Sequence, residues 1–135
     1  MSVNKVIIYT DGAARGNPGP AAIGATLKDE KGDLITQISR RIGITTNNQA
    51  EYQAIITALE KAISLGAKYV ELNSDSELVV KQLNGRYKVK KAALRLLYQK
   101  VIQLIGSLED FQIAYIPRQQ NAEADALANK ALDSI

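Results

Sequence analysis

Four acids in this chain each lie in a short polar phrase. They are Asp11 in Tyr9-Thr-Asp-Gly-Ala-Ala-Arg-Gly-Asn-Pro-Gly-Pro20, Glu51 in Thr45-Thr-Asn-Asn-Gln-Ala-Glu51, Asp75 in Leu72-Asn-Ser-Asp-Ser-Glu77, and Asp125 in Asn121-Ala-Glu-Ala-Asp125. Carboxylates are hard oxygen donors, and several brought together make a site for Mg2+ or Mn2+. Two such ions among acids can run phosphodiester hydrolysis, one activating a water and the other stabilising the leaving oxygen. The chain contains no cysteine and no histidine. That removes a thiolate nucleophile, the usual zinc and copper ligands and the commonest general base, so any metal must be held by oxygen.

Each acid also has a plain structural explanation. Asp11 begins an Asp-Gly pair, a common turn former, although Gly16-Asn-Pro-Gly19 already supplies a turn nearby. Asn48 and Glu51 have the spacing of a capping box, and a negative charge suits a helix N-terminus. Asp75 could serve as an N-cap. Acids are expected in the first turn of a helix, where Asp125 falls. None of these accounts explains why all four acids fall at element junctions that could share one edge of a sheet. If they converge, two carboxylates about 4 Å apart repel by roughly 4 kcal/mol at an effective dielectric near 20. A domain whose whole stability is about 5–15 kcal/mol does not carry several such pairs unrelieved. Either protons or cations must complete the cluster.

The elements that would position these acids follow from periodicity and punctuation. Val3–Thr10, rich in Val, Ile and Tyr, reads as a strand. Ala21–Lys28 and Leu34–Ile42 read as two more, joined by the polar turn Asp29–Asp33, and the three together suggest an antiparallel meander. Tyr52, Ile55, Ile56, Leu59 and Ile63 share one helical face within a helix from Asn48 to Leu65, ended by Gly66. Lys68–Asn73 is a strand and Ser76–Leu83 a short helix stopped by Asn84-Gly85. Ala92–Ile105 is a helix, with Leu94, Leu97, Val101 and Leu104 spaced for burial; Phe111–Ile116 is the last strand. Ala122–Leu132 is the final helix, with Asn121 as its expected N-cap. The order is βββαβααβα, and a mixed sheet with helices on its faces is the natural α/β packing.

Length suits one domain over residues 1–135. Charge is unevenly spread. Residues 81–100 hold Lys81, Arg86, Lys88, Lys90, Lys91, Arg95 and Lys100 and no acid, which is +7; against a net charge of +3, the rest of the chain carries −4. One basic stretch on an acidic body is what a phosphate-backbone footprint looks like. A solvated helix face beside a turn would look the same. Met1–Lys5 lacks the apolar run of a signal peptide, and no segment is long enough to span a bilayer, so a cytoplasmic location without membrane contact is expected.

Taken together, Tyr-Thr-Asp-Gly-x-x-x-x-Asn-Pro-Gly-Pro, Thr-x-Asn-Asn-x-x-Glu, Asp-Ser and Asn-x-x-Ala-Asp-x-Leu-Ala strongly resemble ribonuclease H of type 1, over about residues 3–132. The resemblance implies a five-stranded mixed sheet, three antiparallel strands followed by two parallel ones. It also implies hydrolysis of the RNA strand of an RNA–DNA hybrid with two Mg2+ or Mn2+ ions, leaving 5′-phosphate and 3′-hydroxyl ends. By that likeness Asp11, Glu51, Asp75 and Asp125 are the metal-binding catalytic acids, and Asn17, Thr46, Asn47 and Asn48 contact nucleic acid. The amides of Asn47 and Asn48 also suit that role chemically, because an amide can engage minor-groove edges and the 2′-hydroxyl that marks RNA.

The chain departs from the pattern twice. Many members carry a catalytic histidine before the final Asp; here the loop reads Ile116-Pro-Arg-Gln-Gln-Asn121, and Arg118 is the nearest replacement. A guanidinium cannot act as a base, but it can hold a phosphate or help product leave. Some members also insert a basic helix and loop after the position of Leu83, where this chain has only Asn84–Lys90. Arg86, Lys88 and Lys90 would do that work in reduced form, with weaker hybrid binding. A monomer is expected. Two rivals stand beside this reading: a non-catalytic module binding hybrid or double-stranded RNA, and a nuclease that also cuts double-stranded RNA.

Overall fold

The computed structural model describes residues 3–134. Residues 1, 2 and 135, which the single-domain reading includes, lie outside the described residues. The strands are β1 (Lys5–Ala14), β2 (Gly19–Lys28), β3 (Leu34–Thr45), β4 (Tyr69–Ser74) and β5 (Asp110–Tyr115). The helices are α1 (Asn47–Ser64), α2 (Glu77–Leu83), α3 (Ala92–Ile105) and α4 (Ala122–Asp133), the last preceded by a 3-10 turn over Arg118–Asn121. Apart from that turn, the order is the one the sequence predicts. The five strands form one sheet, β3-β2-β1-β4-β5. β1–β2 and β2–β3 are antiparallel, while β1–β4 and β4–β5 are parallel.

Two boundaries differ from the sequence reading by three or more residues, for one reason. β1 runs on to Ala14 and β3 to Thr45, because β2 pairs with both to its first residues: Ala14 opposite Ala21, and Gly19 opposite Thr45. Asp11 therefore lies inside a strand, opposite Gly24, and not at a strand end. Ladder pairing across β2 overrides the local Asp-Gly turn preference.

The two faces of the sheet are packed differently. Val6, Ile8, Leu27, Val70 and Leu72 point to one side, where Tyr52, Ile55 and Leu59 of α1 and Leu94 and Val101 of α3 complete the main core. Each such aliphatic side chain contributes about 1.5–3 kcal/mol on burial. Ile63 is only half-buried; Ala62 beside it is fully buried. The other side is lined by small residues, and Ala22 packs there against Ala131 and Leu132 of α4.

Two glycines let the helices come close enough to matter. A Cβ on Gly12 would lie 2.2 Å from the Ala50 carbonyl carbon and 2.4 Å from the Glu51 nitrogen, so β1 touches the backbone of α1 there. A Cβ on Gly24 would lie 2.2 Å from the Ala124 oxygen and 2.5 Å from the Ala128 nitrogen, so β2 touches α4. Asp11 stands beside both. Gly24→Ala should therefore push α4 outward and cost about 1–3 kcal/mol in urea unfolding; an unchanged midpoint would mean that α4 is not seated on this glycine.

Candidate metal centre and its rim

Glu51 is brought to the sheet by the way α1 begins. The capping box is formed by Thr46 and Gln49, not by Asn48 and Glu51: the Gln49 N–H donates to Thr46 Oγ1 at 3.2 Å and the Thr46 N–H to Gln49 Oε1 at 3.0 Å. The two pairs have the same spacing, and the helix starts one residue earlier than the sequence predicts. Glu51 is thus freed from capping and buried, and its carboxylate accepts from the Gly12 N–H.

Asp75 is released in the same way. Ser76, not Asp75, caps α2, accepting from the Val79 N–H at 3.4 Å. At α4, Asn121 takes the N-cap position without capping by its side chain; its Nδ2 donates instead to the Thr10 carbonyl at 2.9 Å. That bond ties the start of α4 to β1 one residue before Asp11.

These local arrangements converge. Among the described residues, one ligand oxygen each from Asp11, Glu51 and Asp75 lie within 4.8 Å of one another. Asp11 is 7% and Glu51 5% exposed, which leaves water little room to screen them. Asp125 stands outside this trio but lines the same cavity, of about 290 Å3, with Asn47, Tyr115 and Arg118. Asp125 is 3.7 Å from an Arg118 Nη and accepts from Asn129 Nδ2 at 3.3 Å.

The electrostatics follow from that crowding. Burial first, then the charge of Asp75 and the proximity of Asp125, raise the Asp11 pKa from 3.8 to about 8. Burial and the charge of Asp11 also push Glu51 well above the usual carboxylate range, against the Gly12 N–H that favours its charged form. Among the described residues Arg118 is the one cation lining the cavity, and its side chain is 79% exposed. Clustered, buried, like-charged oxygens fit a hard divalent cation, since a cation removes both the desolvation cost and the repulsion.

The remaining predicted residues divide into two groups. Asn47 lines the acid cavity, whereas Asn17, Thr46 and Asn48 line a neighbouring pocket with Gln49 and Lys91. Asn17 Oδ1 accepts from the Asn47 N–H at 3.0 Å, which joins the β1–β2 loop to the start of α1. Arg86, Lys88 and Lys90 are exposed beyond α2 and do not line the acid cavity. Lys88 lines a groove with Tyr87 and Arg95, and Arg95 holds that loop through the Val89 and Lys90 carbonyls at 3.4 and 3.3 Å. Sequence reasoning missed Tyr115 and Ser76 at the acid rim, and took Lys91 only as part of the basic stretch. Tyr115 carried a usable signal, being two residues beyond Ile113 and two before Pro117 at a strand end.

A fold of this order, with acids gathered from the central strand, two helices and the β4–α2 turn, has known counterparts. Residues 9–131 match the family described as Reverse transcriptase-like. A ribonuclease HI of Halobacterium salinarum is 46% identical over 129 residues, 96% of this chain and 65% of that protein, so the chain spans just under two thirds of its length. The crystal structure of RNase H1 from the same organism superposes with a TM-score of 0.94 at 45% identity, covering 96% of this chain and 98% of that one. LC11-RNase H1, crystallised in complex with an RNA/DNA hybrid, superposes at 0.90 with 47% identity, covering 95% and 96% of the two chains. The chain belongs to the ribonuclease H family, type 1.

The raised pKa values give a signed prediction. In metal-free protein the folded state keeps a proton on Asp11 over a pH range in which the unfolded chain has released it. The contribution of Asp11 to stability should therefore be present near pH 4 and be lost as pH rises through about 8. Asp11→Asn should flatten that fall and raise stability at pH 8 by more than about 1.4 kcal/mol, the value of a single tenfold change in proton affinity. Metal-free urea unfolding across this range tests it, and a wild-type profile flat from pH 4 to 8 would contradict it.

Proposed function

We propose that this chain is an endoribonuclease that hydrolyses the RNA strand of RNA–DNA hybrids, with residues 1–135 as one catalytic domain. The observation that carries the reading is the convergence of Asp11, Glu51 and Asp75 within 4.8 Å in a cavity that also presents Asp125. LC11-RNase H1 supports the substrate class, because at 47% identity it has been captured on an RNA/DNA hybrid. The cytoplasm and a monomeric state belong to the same reading.

Asp11, Glu51, Asp75 and Asp125 would hold two divalent cations, Mg2+ or Mn2+. When bound, these would supply an activated water and charge stabilisation for the leaving 3′ oxygen. The chain's own groups do the rest. Asn47, on the cavity rim, offers an amide that can both donate to and accept from a 2′-hydroxyl, which discriminates RNA from DNA on the cut strand. Asn17, Thr46 and Asn48 continue that surface along α1. Arg118 is exposed and loosely paired with Asp125, so it can swing to a non-bridging phosphate oxygen, where a guanidinium binds well and transfers no proton. Arg86, Lys88 and Lys90 lie farther along and add sequence-independent attraction to phosphates. Water attacks phosphorus and the bond to the 3′ oxygen breaks, giving 5′-phosphate and 3′-hydroxyl ends with no covalent enzyme intermediate.

The test is cleavage of a labelled RNA–DNA hybrid beside double-stranded RNA and double-stranded DNA of the same sequence, each with Mg2+, Mn2+ or chelator. The expected result is metal-dependent cutting of the hybrid's RNA strand. Cutting of double-stranded RNA as well would widen the substrate class, and binding of the hybrid without cutting under any condition would overturn the enzyme in favour of a binding module. Asp11→Asn should lower cleavage by at least about 100-fold, or roughly 2.7 kcal/mol, while leaving hybrid affinity within a few-fold. Wild-type turnover by that variant would remove Asp11 from the chemistry.

A further inference from the structure

Resting on the hybrid-cleavage reading, we infer that the ring of Tyr115 is a substrate-positioning surface: it packs against the sugar of a nucleotide flanking the scissile phosphate and so sets where the RNA strand is cut.

The placement follows from strand parity. Phe111, Ile113 and Tyr115 alternate along β5 on the core side of the sheet, opposite Val70, Leu72 and Ser74 of β4. Phe111 and Ile113 pack against the main core. Tyr115 continues that row beyond the core: it lines the acid cavity and is 52% exposed, a large aromatic surface open to solvent among mostly polar and charged lining residues. Its partner Ser74 directly precedes Asp75, and Arg118 follows three residues later. The ring is thus placed by the same two strand ends that place the acid and the guanidinium.

The chemistry of the substrate decides what such a ring can meet. In a duplex the bases are stacked inside, so an aromatic side chain approaching from outside finds the C–H face of a sugar and the phosphates on either side. The acids and Arg118 account for the phosphate. The ring offers the sugar an apolar, rigid wall whose burial is favourable and whose two side-chain torsions cost little to fix. A ring in the same cavity as the acids meets the nucleotides next to the cut, which gives it influence over register.

The test is steady-state kinetics and mapping of cut sites on a defined hybrid for wild type, Tyr115→Phe and Tyr115→Ala, with thermal stabilisation by Mg2+ recorded for each. Tyr115→Ala should raise KM about tenfold with kcat little changed and spread the cuts over more positions. Tyr115→Phe should match wild type, because the ring and not the hydroxyl makes the contact. Stabilisation by Mg2+ should be the same in all three. Wild-type KM and cut sites in Tyr115→Ala would overturn the inference, as would equal damage in Tyr115→Phe or a loss of Mg2+ stabilisation. Failure of the wild-type protein to cut hybrid at all would overturn the function reading and this inference together, which separates the two failures.

Discussion

The close approach of two helices to the middle of the sheet is the constraint from which the site follows. Asp11 on β1 is paired with Gly24 on β2 and followed by Gly12. Gly12 admits the backbone of α1 on one face, and Gly24 admits that of α4 on the other. A strand normally loses stability at glycine, which has no side chain to pack and more freedom to surrender. Here the missing side chains are what allow Glu51 and Asp125 to reach the cavity that Asp11 occupies. The polar ties reinforce this: the Gly12 N–H bonds the Glu51 carboxylate, and Asn121 bonds the Thr10 carbonyl.

That geometry is electrostatically costly, and the cost is informative. Two buried acids with raised pKa values, a third within ligand distance and one exposed guanidinium make a poor structural ion cluster. A site optimised for folding alone would pair these charges or replace them with apolar groups. Perturbed acids in an open cavity fit a site completed from outside by cations and a phosphate. The basic segment beyond α2 lies apart from this cavity, consistent with holding a long polyanion at a distance while the acids handle one bond.

Much of this was legible in the chain because its local signals agree with each other. Apolar spacing from Tyr52 to Leu59 gives the central helix, and Gly66 with a positive φ of 90° closes it. Glu51, Asp75 and Asp125 stand near the junctions the sequence marks, and the sheet topology brings them to Asp11 on the central strand. What was not legible depends on tertiary contact. Thr46–Gln49 and Asn48–Glu51 have equal capping spacing, and the choice between them is made by where α1 meets β1. The extension of β1 to Ala14 depends on its ladder with β2. Gly24 reads as an ordinary small residue in a strand until α4 is seen against it. Tyr115 reads as a strand residue until the core ends beneath it.

The most direct measurement is calorimetric titration of Mg2+ or Mn2+ into the metal-free protein at pH 7, in two buffers of different ionisation enthalpy. Asp11, with its pKa near 8, is largely protonated in the metal-free state, and a carboxylate must lose its proton to bind a cation. The account predicts binding accompanied by release of about one proton, and neither binding nor proton release of that size in Asp11→Asn. Binding with no proton release, or binding unaffected by Asp11→Asn, would contradict the claim that these buried acids are the metal site.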